Sequence, residues 1–493
     1  MARAAENSSP RWLMSVEDFL YQLKDRYRVA PALVKRSIGQ VYALLPLSLR
    51  YGRVLSDAQR LLEESQWWTK KQHARYQLQR LQDLAYHAYH NVPFYRRVFD
   101  QLRLTPGSIR SLADWQRLPL LSREDVQRNK LALVARNCRD RALPVTTGGS
   151  TGAPLELFWE RGRTRSLERA FMWRQWDWAG FRHGQRSAVV RGQTVRGALW
   201  HYDPIDHQLF VNAYQLSDDN CERIVSRLRR FRPRALHGYP ATLTVLATWM
   251  ARNNVRPIEG LAVLLCGSEN LYPSQKGLLA EAFAARPYSW YGHGESCCLA
   301  GYCEREDYYH VYSEYGYTEL VDESGQPLSW LEGQRGEIVA TSFINSAMPL
   351  LRYRTGDVAV VGPEATCGRN YPLLASIEGR QQEYILTEDG RAIALTGLVF
   401  GQHWRAFARI RKLQFEQSVP GEVVVRLAVH PAFVKADEVE ILAKIQSCVP
   451  GLKVSLEYVE DIATTERGKH LFVKQRLNVG PAWAGEVWPR SCG

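Results

Sequence analysis

The sequence predicts an α/β fold in two parts. One is a large N-terminal domain of parallel sheets flanked by helices, with an antiparallel subdomain; the other is a small, mobile α+β domain at the C-terminus. Three observations predict it. Between residues 185 and 295, short apolar runs (RSAVV, RALHGY, LAVLLC, PYSWYG) alternate with helical stretches such as TLTVLATWMARNN and SQKGLLAEAFAA. Strand and helix alternating over short connections mark a parallel sheet covered by helices. Residues 308–361 instead give YYHVYSEYGYTELVD, RGEIVATSF and VAVVG around the turn signals ESGQP and EGQRG, which predicts antiparallel pairing. Beyond the polar, hinge-like IEGRQQEYILTEDGRAI, strands at KLQFEQS, EVVVRLAV and KVSLEYV and a helix at ADEVEILAKIQSCV read as a compact unit of about 100 residues.

In order, residues 1–90 are expected to form a helical extension packed on the core, 91–380 the large domain and 381–493 the small one. WWTKKQHARYQLQRLQDLAYHAYHNV sets Trp67, Leu78, Leu81, Leu84 and Ala85 at helical intervals. A chain of 493 residues exceeds one ordinary core, and 45% hydrophobic with 23% charged residues excludes disorder. The net charge of +13 suits an anionic ligand, an acidic partner or a membrane surface and selects none of them. No recognised nucleic-acid module accompanies the Arg and aromatic residues, so no nucleic-acid partner is expected. Nine cysteines, an odd number without disulfide-framework density, point to a reducing compartment. MARAAENSSPRWLMSVEDFL lacks a signal-peptide pattern, and no window approaches the roughly 18 apolar residues of a spanning helix. The expected location is the cytoplasm. VYALLPLSL, flanked by Lys35, Arg36, Arg50 and Arg53, offers at most a peripheral membrane contact; its length and Pro46 favour burial against the protein's own core.

Several short stretches carry chemistry. VTTGGSTGAPLEL (145–157) lacks the Lys of a Walker loop, and Gly148, Gly149 and Gly152 have the wrong spacing for a dinucleotide fingerprint. What remains is an ordinary turn, or a Ser/Thr/Gly loop whose amides and hydroxyls hold phosphate oxygens as a nest. GYP (238–240), CGSE (266–269) and YGHGE (291–295) all follow predicted strands, where ligands sit in parallel sheets. Tyr291 offers a flat face to a base and Glu295 a carboxylate to Mg²⁺, or they are a buried Tyr and a surface Glu. In LLRYRTGDVAVV, Asp357 follows a Thr-Gly turn between two predicted strands, where a carboxylate could accept two hydroxyls of a ribose. IEGRQQEYI sets Arg380 after a Gly, and TTERGKHLFVKQRL sets Lys469 after Gly468. The basic run RLRRFRPR (227–234) fits an anionic ligand, an acidic partner or simply a solvated helix face.

As an ordered set, these stretches resemble the adenylate-forming superfamily of acyl-CoA synthetases, from NVPFYRRVF (91–99) to about residue 477. NVPFYRRVF, WQRLPLLSREDV, AMPLLRYRTGD and CGR are most similar to the phenylacetate-CoA ligase branch and its capsular-polysaccharide-biosynthesis relatives. The resemblance implies an AMP-forming carboxylate ligase. ATP and Mg²⁺ would convert a small carboxylic acid to an acyl-adenylate with pyrophosphate release, and a thiol, by default CoA, would then take the acyl group. An amine, a hydroxyl or a carrier-protein thiol in envelope-polysaccharide or secondary-metabolite synthesis is the alternative acceptor, and a non-catalytic scaffold of a polysaccharide-assembly complex the alternative of another class.

By the same resemblance, Thr147, Gly148, Gly149, Ser150, Thr151 and Gly152 would close over the β- and γ-phosphates. Gly267, Ser268 and Glu269 would line the adenine pocket, Tyr291 with Gly292 would pack on the base, and Asp357 would hold the ribose beside Arg380. Glu295 would bind Mg²⁺, and Lys469 would sit between carboxylate and α-phosphate, where a positioned cation stabilises two approaching anions. Rotation about a hinge at residues 380–383 would then exchange Lys469 for the face that admits the thiol. His237, Gly238, Tyr239 and Trp290 are expected to form the acyl pocket, whose aromatic walls suit an aryl or other compact apolar acid. The sequence departs from the family pattern at Ala153 and Leu155, where Lys is common, at Gly294 for Thr, and at Gln382 followed by Glu383 in the hinge. Cys303, His310 and Cys367 match three positions of a Cys/His zinc set whose fourth is Ala365. Glu364, Cys297 or Cys298 would have to complete a four-coordinate site.

Overall fold

The computed structural model describes residues 45, 47–146, 155–191, 198–213, 215–380, 384–389, 392–394, 406, 409–463 and 471–477, with Val34 and Ser37. The described residues from 47 to 128 build the helices α1 (Leu47–Ser65), α2 (Lys70–Asn91) and α3 (Pro93–Gln101), then the short α4 (Leu112–Trp115) and α5 (Arg123–Arg128). Thr69 and Gln72 start α2 with a capping box, the Thr69 hydroxyl accepting from the Gln72 N–H at 3.3 Å and the Gln72 side chain from the Thr69 N–H at 2.9 Å. Leu81, Ala85 and Ala88 are the buried face of α2 and share a core with Trp115 and the antiparallel strands. Trp67 is not on that face: it precedes the cap and is exposed.

A hairpin of β1 (Ala142–Thr146) and β2 (Glu156–Glu160) brackets the glycine-rich loop, and α6 (Thr164–Trp178) follows. The alternating region then builds β3 (Ser187–Val190), β4 (Trp200–Asp203), β5 (Gln208–Val211), α7 (Asp218–Phe231), β6 (Ala235–Gly238), α8 (Pro240–Arg252), β7 (Val263–Cys266), α9 (Pro273–Phe283) and β8 (Arg286–Gly292). Next come β9 (Leu299–Tyr302), β10 (Tyr309–Val311), β11 (Gly316–Val321), β12 (Arg335–Ser342), β13 (Tyr353–Val361) and β14 (Leu373–Arg380). β3, β6 and β7 are short, nearly continuous apolar runs because helices cover the sheet they form, and β3-β6-β7-β8 pair in parallel.

Among the described residues, the parallel and antiparallel regions form one twelve-stranded sheet, in the order β11-β12-β13-β14-β10-β9-β8-β7-β6-β3-β5-β4. Strand β8 makes the join. Its first four residues run parallel to β7, and Trp290, Tyr291 and Gly292 continue antiparallel to β9. Gly292 permits that turn of partnership, since a Cβ there would lie 2.9 Å from the Leu299 side chain.

The C-terminal region contains the hairpin β15 (Tyr384–Leu386)–β16 (Ala392–Ala394), then β17 (Ile410–Val419), β18 (Glu422–Val429), α10 (Lys435–Cys448), β19 (Lys453–Tyr458) and β20 (Val473–Gln475). Strands β17 and β18 are antiparallel, with β19 and β20 added in parallel at the two edges. Phe415, Val425 and Leu427 meet Ile441 and Ile445 of α10 in its core, the α+β unit the sequence predicts. Tyr272, just before α9, packs into the same core, its ring 6.1 Å from that of Phe472. Among the described residues no helix is long and apolar enough to cross a membrane.

Candidate active site

Register across the parallel strands sets the site. Val190 pairs with Gly238, Gly238 with Cys266 and Cys266 with Ser289. The residues that follow, Arg191, Tyr239, Gly267 and Trp290, therefore stand in a row at the carboxyl edge of the sheet, where side chains can face a ligand. A Cβ on Gly267 would come within 2.2 Å of the Trp290 ring, so only glycine lets the indole lie over the end of β7. Ser268, next in the chain, holds a positive φ of 67°. Trp290, His237 and Trp176 of α6 meet edge to face, with ring centroids 5.4, 5.9 and 6.2 Å apart. Three of the expected pocket residues, His237, Tyr239 and Trp290, thus line one rim. Gly238 instead serves the approach of α8, a Cβ there falling 2.8 Å from Leu243. Burial, and then the charge of Arg191, push His237 down to about 3, so its imidazole is neutral. Glu269 bridges two rim loops: its carboxylate accepts the Ala241 N–H at 3.1 Å, at the N-terminus of α8.

One residue beyond Trp290, the hydroxyl of Tyr291 donates to Asp357 at 2.7 Å. Burial first, and then Asp357, hold the phenol of Tyr291 well above its usual range, so it stays a donor. Asp357 is 6% exposed and faces Arg380 across the β13–β14 register. Its N–H donates to the Thr355 hydroxyl at 3.1 Å, and that hydroxyl donates to the Ile338 carbonyl at 2.8 Å. Gly356 supplies the left-handed φ of 74° that the Thr-Gly-Asp stretch requires. Arg354 clamps Glu337 through both carboxylate oxygens, at 3.0 and 3.2 Å from its Nε, and Glu337 accepts the Gly356 N–H at 3.3 Å.

Glu295 is 3% exposed and held from three directions. Its Oε1 accepts from the Tyr353 hydroxyl at 3.2 Å and lies 3.6 Å from Arg123, while its Oε2 is 3.2 Å from Nδ1 of His293. Arg123 opens α5, whose start is fixed by a capping box between Ser122 and Asp125. WQRLPLLSREDV thus delivers a cation to Glu295, and AMPLLRYRTGD delivers both the Tyr353 hydroxyl and Asp357. Sequence reasoning assigned Glu295 without these partners. The signal for Arg123 lay in the Ser-Arg-Glu-Asp helix start, and for Arg191 in its place directly after RSAVV on the rim already identified.

Thr147, Gly148, Gly149, Ser150, Thr151, Gly152 and Lys469 lie outside the described residues, as do hinge positions 381–383. Cys303, His310 and Cys367 do come together, all buried, with ligand atoms within 4.8 Å of one another and Cys367 Sγ 3.4 Å from His310 Nε2. Burial pushes the Cys303 thiol up to about 11 and His310 down to about 3. The suggested fourth ligands do not join them. Glu364 is exposed and paired with Lys70, Cys297 donates to the Glu295 carbonyl at 3.4 Å, and Cys298 accepts from Thr318 at 3.4 Å. Two thiols and an imidazole are zinc-type donors, but a closed structural site needs one more.

No protein-family model matches the chain. It is 28% identical over 319 residues to the phenylacetate-coenzyme A ligase of Thermus thermophilus, covering 63% of this chain and 71% of that protein. It is 26% identical over 324 residues to the phenylacetate-coenzyme A ligase of Aromatoleum evansii, with the same coverage, and 22% over 288 residues to protein CapK of Staphylococcus aureus, covering 57% and 61%. Among solved structures, 2-hydroxyisobutyryl-CoA ligase in its postadenylation state, in complex with R3-HIB-AMP, superposes with a TM-score of 0.68 at 22% identity, over 84% of this chain and 93% of that one. That likeness is one of fold.

Proposed function

We propose that this chain, a relative of the phenylacetate-CoA ligases within the adenylate-forming superfamily, is an AMP-forming carboxylate ligase that makes an acyl-adenylate from ATP and passes the acyl group to CoA. The observation that carries this reading is the pair of buried, separately pinned carboxylates, Asp357 and Glu295, beside an aromatic rim at the carboxyl edge of the parallel strands. Asp357 is oriented by the Tyr291 hydroxyl, and Glu295 by the Tyr353 hydroxyl, Arg123 and His293, so each carboxylate is fixed in place.

Asp357 would take the ribose hydroxyls, its second oxygen kept in place by Tyr291. The Trp290, Tyr291 and Gly267 surfaces would enclose the base and the acid. Glu295 would hold Mg²⁺, which neutralises phosphate charge when bound, and Arg123 and Tyr353 would fix the carboxylate in the rotamer that does so. The loop at 147–152 and Lys469 take their roles from the family pattern: the loop over the outer phosphates, the ammonium between the attacking carboxylate and the α-phosphate. The hinge after Arg380 would admit CoA for the second half-reaction. A metal at Cys303, His310 and Cys367 would brace β9, β10 and the β13–β14 connection and takes no part in this chemistry.

The test is a carboxylate panel with ATP, Mg²⁺ and hydroxylamine. Hydroxamate should form together with pyrophosphate, and CoA in place of hydroxylamine should give the thioester. A protein that binds no ATP and yields no hydroxamate from any acid is a scaffold, and the proposal falls.

A further inference from the structure

Arg191 stands at the β3 end of the rim and has no role in the reading above. Its guanidinium lies over the Tyr239 ring at 4.8 Å and reaches only neutral groups, each at long range: His237 Nε2 at 3.4 Å, the Tyr239 hydroxyl at 3.5 Å and the Ser268 hydroxyl at 3.4 Å. Among the described residues no carboxylate pairs with it, and the segment that follows it in the chain, GQTVRG (192–197), holds no Asp or Glu. A guanidinium donates five hydrogen bonds in a planar fork and accepts none. Because Arg191 can only donate, His237 accepts at Nε2 and carries its proton on Nδ1, a neutral prop rather than a competing cation. A half-buried, unneutralised cation over Tyr239 and beside a neutral His237 is less favourable than one whose fork is filled by an anion.

We infer that Arg191 is a specificity-determining residue and that the acid activated here is a planar, aromatic-type acid carrying a second carboxylate, which pairs with the Arg191 fork while the ring lies against Trp290 and Tyr239. This inference rests on the ligase reading and narrows its substrate from a compact apolar acid to a dicarboxylic one. An acid lacking the second carboxylate leaves the cation desolvated and unpaired, so the site discriminates by penalty as well as by attraction.

The experiment compares phenylacetate with its 2-, 3- and 4-carboxy derivatives in the hydroxylamine assay, using the full-length protein, Arg191→Leu and Arg191→Lys. The best carboxylated isomer should exceed phenylacetate in kcat/KM by about 100-fold, mainly through KM, the size expected for a charge-assisted contact. Arg191→Leu should lose that factor on the carboxylated acid and gain on phenylacetate, inverting the preference; Arg191→Lys should retain part of it. Preference of the native protein for phenylacetate over all three isomers overturns the inference. So does an equal loss on every acid in Arg191→Leu, which would place the guanidinium on the reacting carboxylate or a phosphate. Should no acid yield hydroxamate, the ligase reading fails by itself, and thermal shift with the same four acids still decides the inference. A rise in Tm with one carboxylated isomer in the native protein, absent in Arg191→Leu, sustains it; no rise with any isomer ends it.

Discussion

Glu295 is where chemistry and burial conflict most directly. A carboxylate that is 3% exposed pays a desolvation cost, offset here by a hydroxyl, a guanidinium at 3.6 Å and an imidazole. A purely structural role would be served equally by Gln, which is the same shape and still accepts from Tyr353. A metal-holding role would not, because the charge is the point. Glu295→Gln should therefore keep the fold, with Tm within a few degrees of the native protein, and lose about 10²–10³-fold in adenylation rate, the scale of a lost charge-stabilising contact. Pyrophosphate exchange checks this, and native-level exchange in Glu295→Gln would remove Glu295 from the proposed mechanism.

At the scale of elements, α2 joins the N-terminal helices to the sheet partly through a histidine. His73 is buried against Trp68 and Tyr371, ring centroids 5.6 and 4.8 Å away, and neither ring nitrogen has a hydrogen-bond partner. Burial lowers its pKa to about 4, so the folded protein holds it neutral while the unfolded chain protonates it near 6.5. Between those values the unfolded state binds the extra proton. The stability associated with a neutral His73 is thus complete above pH 6.5 and is lost as pH falls toward 4, by about 2 kcal/mol at pH 5. His73→Phe removes both the titration and the unpaired nitrogens. Its Tm should exceed that of the native protein by a margin that widens from pH 7.5 to pH 5, and a constant margin would mean that His73 does not titrate as its burial requires.

The same scale explains what the sequence made legible. Strand and helix existence followed from local periodicity, and so did the rim, since a residue after a four-residue apolar run must leave the strand at its carboxyl end. That one sheet unites parallel and antiparallel regions was not legible. It depends on β8 changing partners between Ser289 and Trp290, a pairing choice made by distant strands. Candidate site residues embedded in short motifs (Tyr291, Glu295, Asp357) can be named from the sequence. Their supports, Arg123 and Tyr353, act across 172 and 58 positions of chain for Glu295 and carry no local periodicity. Arg191 is not legible for another reason: a single Arg after a strand reads as solvated until the neutrality of its neighbours is known.

At the scale of the whole molecule, Arg352 fastens the N-terminal helical region to the sheet on which the site is built. It is 3% exposed, fixed to both oxygens of Glu319 at 3.1 Å, and also donates to the backbone carbonyls of Gln116 and Leu118. Its own N–H donates to the Thr341 hydroxyl at 3.0 Å, tying β12 to the start of β13. The next residue, Tyr353, holds Glu295, and the one after, Arg354, holds Glu337. Stability and site geometry therefore run through three consecutive side chains. Arg352→Met leaves Glu319 buried without its partner and strands two carbonyls, and breaking a buried pair on one side costs about 3–5 kcal/mol. The urea midpoint should fall accordingly. Burial already raises the Glu319 carboxyl above its usual range, so without Arg352 it should take up a proton, and the loss should shrink at lower pH. In Arg352→Met with Glu319→Leu the uncompensated charge is gone, and the midpoint should recover much of the way. A double variant as unstable as the single would assign the loss to the carbonyls of Gln116 and Leu118, making Arg352 a backbone clamp between helices and sheet rather than half of an ion pair.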